Sequence, residues 1–449
     1  MDRFFSLQFP GVAVVTDDGR EVSYADFREL TETWRPEIAP RSLVFLLVSN
    51  NLPSLVAYVA CLNRGIVPLM LDAQIDAGLL QRFVDTYSPN YVVNCVAGTV
   101  TAVSAEDRGL HPDLALLLTT SGSTGSPKLV RQSYVNIRAN TESIVEYLKL
   151  DATERPITTL PMNYTYGLSI VNTHLWVGAT LLLTGASIMQ REFWTFFTAQ
   201  GATSFGGVPY TYEMLDRLMF FRRKLPSLRT MTQAGGKILP ELHLKFAEHA
   251  AKEGKNFVVM YGQCEATARM SYLPPDRALD KVGSMGVAIP GGRFELVDAD
   301  GSLIEEADTP GELVYYGKNV TLGYAECAAD LAKGDERDGK LVTGDMAKRD
   351  ADGFYFIVGR KKRFLKIFGN RVNLDETERM IKGAFLGMDC ACAGTDDHMK
   401  IYLTDADAIE KVRTFVAEKT HLNISAFEVV SIDVLPKNAS GKTLYSELN

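Results

Sequence analysis

Apolar positions in the first 205 residues or so fall into short runs separated by stretches of helical periodicity. The runs are Ser42 to Val48, Tyr91 to Val96, Leu114 to Leu118 and Ala179 to Leu183. Strands alternating with helices predict a mostly parallel sheet covered on both faces. A second alternation starts at Thr203-Ser204-Phe205, passes through Val258-Val259-Met260 and ends near residue 275. From Gly283 to Phe356 the texture changes to brief strands broken by Gly and Asp: Gly292 to Asp298, Gly311 to Tyr316 and Gly353 to Val358. That pattern predicts a small antiparallel β subdomain. After Gly359 positive charge crowds together in Arg360, Lys361, Lys362, Arg363, Lys366 and Arg371, and an α+β remainder follows. Alone, the basic run reads as a solvated strand edge or a nuclear-import tract; with the change in texture it reads as a domain boundary. The expected fold is α/β. Residues 1–359 form a large domain of two αβ-layered subdomains plus the antiparallel β subdomain, and residues 360–449 a small α+β domain.

Length and composition narrow the class. A chain of 449 residues exceeds one ordinary core, and its 46% hydrophobic and 23% charged fractions suit a soluble globular enzyme. The net charge of −8 disfavours a nucleic-acid partner. No apolar run reaches the ~18 residues of a membrane span. Asp2 and Arg3 precede a short Phe4-Phe5 patch and Pro10, which is not a signal-peptide pattern. Six cysteines, Cys61, Cys95, Cys264, Cys327, Cys390 and Cys392, form no C-x-x-C pair, so reduced thiols and a cytoplasmic location are expected. Cys390-x-Cys392 lacks a partner cluster and reads as burial rather than metal binding. The six histidines form no H-E-x-x-H, which leaves a zinc hydrolase unsupported.

The densest chemistry lies in Thr120-Ser121-Gly122-Ser123-Thr124-Gly125-Ser126-Pro127-Lys128, between an apolar run and a helix expected to start near Ser133. Glycines admit backbone N–H groups to an anion, hydroxyls add donors, and lysine adds a point charge. This is equipment for a polyphosphate; the bland alternative is a Ser/Gly-rich linker. It is not a Walker A loop, because the fifth position after Gly122 is Pro127. Pro436 to Thr443 misses that pattern by one glycine, and too few residues follow it for the helix a P-loop requires.

Together with four further strings, the chain resembles the adenylate-forming superfamily of acyl-CoA synthetases, non-ribosomal peptide synthetase adenylation domains and luciferases. The hydroxyl-rich string resembles T-S-G-[ST]-T-G-x-P-K-G, and Tyr261-Gly262-Gln263-Cys264-Glu265 resembles Y-G-x-T-E. Thr343-Gly344-Asp345 and Gly359-Arg360 resemble the T-G-D and G-R pair, and Pro436-Lys437-Asn438-Ala439-Ser440-Gly441-Lys442 resembles P-x-x-x-x-G-K. Order and spacing agree from roughly residue 20 onward.

The resemblance implies attack of a carboxylate on the α-phosphorus of ATP. Lys442, on a mobile C-terminal domain that turns about a hinge near Lys362, would bridge the two anions. Thr120, Ser121, Gly122, Ser123, Thr124, Gly125 and Lys128 would hold phosphates, and Glu265 would hold Mg²⁺. Asp345 and Arg360 would meet the ribose, Tyr261 the adenine face, and Gly262, Gln263 and Cys264 would line the nucleotide. Cys264 replaces the family's Thr, and Leu129 the Gly after the loop lysine; weakened detail is expected.

Pro161 to Gly167 resembles P-x-x-H-x-x-G, which puts Tyr164 at the gate of the acid pocket. Thr165 then falls where amino-acid activators carry an Asp, so an α-ammonium is disfavoured; Asn163 and Tyr164, one register away, are no more acidic. Gly207-Val208-Pro209 and Ala234-Gly235-Gly236-Lys237 would wall the pocket, with Lys237, if turned inward, pointing to a second polar group on the acid. Tyr164, Tyr166, Tyr210 and Tyr212 would either narrow the pocket or belong to the core. Lys366-Ile367-Phe368-Gly369 resembles a segment that lines a pantetheine tunnel, with Gly369 admitting the thiol of CoA or of a carrier-protein phosphopantetheine. The function so implied is an ATP-dependent ligase that joins a small, non-amino carboxylic acid to such a thiol, of CoA or of an acyl carrier protein. Its rivals are an amino-acid activator and a catalytically lapsed nucleotide-binding protein.

Overall fold

The computed structural model describes residues 3–119, 128–361, 363–368, 370–385, 387–437 and 443–448. Leu43–Val48 reads Leu-Val-Phe-Leu-Leu-Val and is buried throughout, as a strand covered on both faces must be. Val44, Leu46 and Val48 enter one apolar cluster, while Leu43, Phe45 and Leu47 enter another. This strand lies inside a seven-stranded sheet. Its order is Gly323–Ala325, Leu129–Ser133, Leu114–Thr119, Val67–Asp72, Leu43–Val48, Tyr91–Asn94 and Thr99–Ala102. The four inner strands from Leu114–Thr119 to Tyr91–Asn94 run parallel and the outer ones antiparallel.

Four of these strands are absent from the sequence-based expectation: Val67–Asp72, Thr99–Ala102, Leu129–Ser133 and Gly323–Ala325. Val67–Asp72 contains Pro68, which weakens the reading of a central strand. Leu129–Ser133 returns antiparallel immediately after the phosphate-loop string, and Ser133 then caps the expected helix, Tyr134–Leu148. Its side chain accepts from the Asn136 N–H while the Asn136 side chain accepts from the Ser133 N–H. Leu181–Leu183 joins a different, three-stranded sheet, parallel to Val12–Thr16.

A five-stranded sheet follows, with Ser204–Gly207, Thr230–Gln233 and Asn256–Tyr261 parallel and Ser271–Tyr272 and Val287–Ala288 antiparallel. Gly292–Val297, Gly311–Gly317, Lys340–Arg349 and Tyr355–Arg360 form the expected antiparallel sheet. Residues 365–448 build their own apolar clusters around a sheet of Cys390–Thr395, His398–Leu403 and Phe427–Ser431. Cys390 and Cys392 are buried there, and burial pushes both thiols up, as expected of inert packing groups. Among the described residues no helix is long and apolar enough to cross a membrane.

Candidate active site

Three chain segments converge on Asp345. It lies on Lys340–Arg349, and the antiparallel register sets it opposite Arg360. Asn256–Tyr261 delivers Tyr261, whose hydroxyl donates to Asp345 Oδ2 at 2.5 Å. Gln263 Nε2 donates to the same oxygen at 2.9 Å and to the Thr343 carbonyl at 3.0 Å. Arg360 Nε stands 3.8 Å from Oδ1. Burial pushes the Asp345 carboxyl up, against the pull of Tyr261, Arg360 and Gln263. The Tyr261 hydroxyl is raised well above its ordinary range by burial and by the Asp345 charge. With that hydroxyl committed, Tyr261 has its ring left to offer a base. Gly262 is fixed by space: a Cβ there would fall inside the Ala268 carbonyl.

A second convergence centres on Tyr324, on the edge strand Gly323–Ala325. Its hydroxyl donates to Glu265 Oε1 at 2.6 Å, and Lys128 Nζ lies 3.7 Å from its ring centroid. Lys128 also pairs with Glu326 at 3.2 Å. Arg337 stacks on the other ring neighbourhood, 4.6 Å from the centroid, and donates to the Glu265 carbonyl at 3.0 Å. Glu265 is half-buried and, among the described residues, pairs with no cation through its carboxylate. It therefore fits as one hard oxygen ligand to a divalent ion. No group of three or more His, Cys, Asp or Glu able to hold a metal occurs among the described residues, so substrate phosphates and water would have to supply the rest. Cys264 Sγ reaches the Thr119 carbonyl at 3.9 Å, at the end of the strand that leads into the phosphate string. Thr120, Ser121, Gly122, Ser123, Thr124 and Gly125 lie outside the described residues, as do Lys362, Gly369 and Lys442.

The acid-pocket candidates also meet. Tyr164 precedes the helix Thr165–Trp176, and Gly207 ends the strand Ser204–Gly207. Gly235 has φ +84°, and a Cβ on it would come 2.6 Å from the Tyr164 hydroxyl and 3.1 Å from Val208. Gly236, beside Pro209, is exposed. Tyr166 and Tyr212 are core: Tyr166 shares a 2.7 Å hydrogen bond with the Thr232 hydroxyl, and Tyr212 donates to the Thr232 carbonyl at 2.8 Å. Tyr210 is exposed, under Lys437 Nζ at 5.6 Å from its ring centroid. Lys237 does not turn inward. It donates to the Ile357 carbonyl at 2.9 Å, and its crowded position lowers its pKa to about 8, chiefly by loss of hydration and then by Arg379.

Within the basic run that the sequence marks as a domain boundary, the structure gives Arg363 a role of its own. Arg363 bonds Asp375 at 2.8 Å and Glu378 at 2.5 Å, donates to the Cys392 carbonyl, and covers the Tyr445 ring. Tyr324 and Arg337 carry no motif, so only their contacts reveal them.

Two αβ-layered sheets, an antiparallel sheet and a C-terminal α+β unit make up this architecture. The family model described as AMP-binding enzyme matches residues 6–325, and the chain belongs to that family. It is 27% identical over 358 residues to oxalate–CoA ligase of Arabidopsis thaliana, covering 76% of this chain and 68% of that one. It is equally 27% identical to indoleacetate–CoA ligase of Aromatoleum aromaticum over 430 residues, covering 85% and 81%. Among solved structures it superposes on ATP-bound MatB from Rhodopseudomonas palustris with a TM-score of 0.80 at 22% identity, covering 99% and 97%. With o-succinylbenzoate CoA synthetase from Bacillus subtilis in complex with its acyl-adenylate intermediate the TM-score is 0.79 at 20% identity, covering 97% and 95%. At that identity the superpositions establish the fold.

Proposed function

We propose that the protein is an ATP-dependent acid–CoA ligase, converting a non-amino carboxylic acid to acyl-AMP and pyrophosphate and then to a thioester. The observation that carries this reading is Asp345, held by Tyr261 and Gln263 and faced by Arg360. A fixed carboxylate acceptor beside a guanidinium suits vicinal hydroxyls of a ribose, and the free Tyr261 ring suits the base. Lys128 and the adjoining hydroxyl string meet the phosphates. Glu265 would hold Mg²⁺, which when bound screens phosphate charge.

Adenylation brings a carboxylate and a phosphate together, so the catalytic need is placed positive charge. Lys442 supplies it in this reading. The described residues on either side support the assignment: Lys437 bridges Thr443, the Leu444 N–H donates to Pro436, and Lys437 stands over Tyr210 beside the Gly207-Val208-Pro209 wall. Residues 360–449 then act as the mobile domain, with the hinge at Lys362 and Gly369 admitting pantetheine. Among the acid-pocket candidates Tyr164, Thr165, Gly207, Val208, Gly235 and Gly236, none is acidic. Free CoA is the favoured acceptor because the named relatives are CoA ligases.

The test is acid-dependent pyrophosphate release over a panel of acids and their α-amino analogues, with CoA and then with a phosphopantetheinylated carrier protein. Amine-free acids should win by ~10²-fold or more, since an unpaired buried ammonium is costly. One amino acid outperforming every amine-free acid would revive the amino-acid activator, and no turnover at all the lapsed binding protein.

A further inference from the structure

Arg269 is 2% exposed, yet among the described residues it has no acidic partner. Its Nε donates to Ser169 Oγ at 3.1 Å; its Nη1 donates to the Tyr147 hydroxyl at 3.2 Å and reaches Met260 Sδ at 3.4 Å. Both hydroxyls direct their own protons elsewhere, Ser169 to the Tyr166 carbonyl and Tyr147 to Met260 Sδ. They serve Arg269 as neutral acceptors. Two other arginines with little exposure are paired with carboxylates. Arg131 pairs with Glu336, and Arg363 with Asp375 and Glu378.

The position of this cation matters. Its guanidinium carbon lies 5.1 Å from the Tyr166 ring centroid. Tyr166 and Met260, both against Arg269, share one apolar cluster with Val208 and Ala234, and Tyr164 packs on it. Of these, Tyr164 and Val208 stand at Gly235, in the proposed acid pocket. The charge is also felt nearby: His174, fully buried, is pushed down to about 4, first by burial and further by Arg269. A buried guanidinium with only neutral partners is costly unless something brings it an anion.

We propose that Arg269 receives a second anionic group on the acid, so that the substrates are dianionic: one carboxylate is adenylated, and a remote carboxylate or sulfonate pairs with the guanidinium. This rests on the acid–CoA ligase reading above and specifies its substrate class. A planar fork of N–H donors suits such a group better than a neutral one.

The test uses the full chain with ATP and CoA. AMP formation is measured on α,ω-dicarboxylates from malonate to suberate, on benzene dicarboxylates and on ω-sulfonated acids, each against its monoester or methyl-terminated analogue. The best dianionic acid should exceed its partner in kcat/KM by ~10²-fold or more, because a polar site rejects a ligand that leaves it unpaired. Arg269→Met should erase that ratio by lowering the dianionic acid alone, and Arg269→Lys should restore part of it, with KM for ATP unchanged in both. A wild type that prefers the uncharged partner, or Arg269→Met lowering both members of each pair alike, would overturn the assignment. If Arg269→Met does not fold, the wild-type ratios decide by themselves. Turnover of simple monoacids without a dianionic preference sinks only the Arg269 assignment; no acid-dependent AMP formation from any acid sinks the ligase reading as well.

Discussion

At Asp345 a carboxylate that is only 8% exposed accepts two hydrogen bonds on one oxygen, while its nearest cation stays 3.8 Å from the other. Burial wins over these partners and pushes the carboxyl up. The folded chain therefore holds this proton to higher pH than the unfolded chain does. The group's contribution to stability falls as pH rises from the ordinary aspartate range through the raised pKa. Asp345→Asn should accordingly stabilise the fold near pH 7, by on the order of 0.5–2 kcal/mol, with a higher melting temperature, and give much less near pH 3, where the carboxyl is protonated in the folded and unfolded chain alike. The same variant should raise KM for ATP by about tenfold or more, since ribose contacts serve ground and transition states alike. Calorimetry at the two pH values and ATP titration check both halves; a lower melting temperature near pH 7 would refute the burial argument. At this scale Asp345 and Arg360 are legible in the sequence through the T-G-D and G-R strings they belong to, and the strand register then sets them opposite each other. Tyr324 and Arg269 are not, because what marks them is a list of partners from distant segments.

At the scale of elements, the proposed acid pocket turns on one close approach, between the Gly235 turn and Tyr164 at the start of the Thr165–Trp176 helix. Gly235→Ala meets two obstacles: φ +84°, which costs an alanine about 1–2 kcal/mol, and the Tyr164 hydroxyl at 2.6 Å. Tyr164→Phe removes only the second. The single variant Gly235→Ala should raise KM for the acid by about 10- to 100-fold while leaving KM for ATP in place, and the double variant should recover part of the loss. No recovery would put the clash elsewhere. In the C-terminal unit, Arg363 fastens the first strand to the helix Leu374–Ala384 through Asp375 and Glu378. The partners shift in opposing senses: the carboxylates favour the charged guanidinium, while burial pushes the Glu378 carboxyl up despite it. Burial governs, so Arg363→Ala, which strands Glu378, should cost about 3–5 kcal/mol, read by denaturant unfolding. Glu378→Gln in that background should return part of it. Elements were legible where hydrophobicity alone defines them, as in Leu43–Val48. They were obscured where a proline interrupts a strand, as at Pro68, or where a strand such as Leu129–Ser133 adjoins a motif that reads as loop.

Over the whole molecule, the proposed nucleotide site draws on residues up to Arg360, while the proposed catalytic Lys442 comes later in the sequence. The motifs make both legible in the sequence; an approach between them is not, because it would depend on how two separately packed units dock. Described contacts across that junction are polar: Lys437 over Tyr210, Lys361 paired with Glu312 at 2.7 Å, and Asn373 Nδ2 donating to the Val358 carbonyl at 2.5 Å. Contacts of this kind hold weakly and permit rotation. If Lys442 works only in the docked arrangement with its segment beside Tyr210, Lys442→Ala should lower acid-dependent pyrophosphate release by ~10²–10⁴-fold, the range for one preorganised charge contact. ATP binding should remain nearly intact, because Asp345, Tyr261 and Gln263 are untouched. Transfer from pre-formed acyl-AMP to CoA should also survive, since that step needs a different face of the C-terminal unit. Stopped-flow measurement of the two half-reactions separates them. Equal loss in both would mean that Lys442 serves a single fixed site, and the rotating-domain reading would fall.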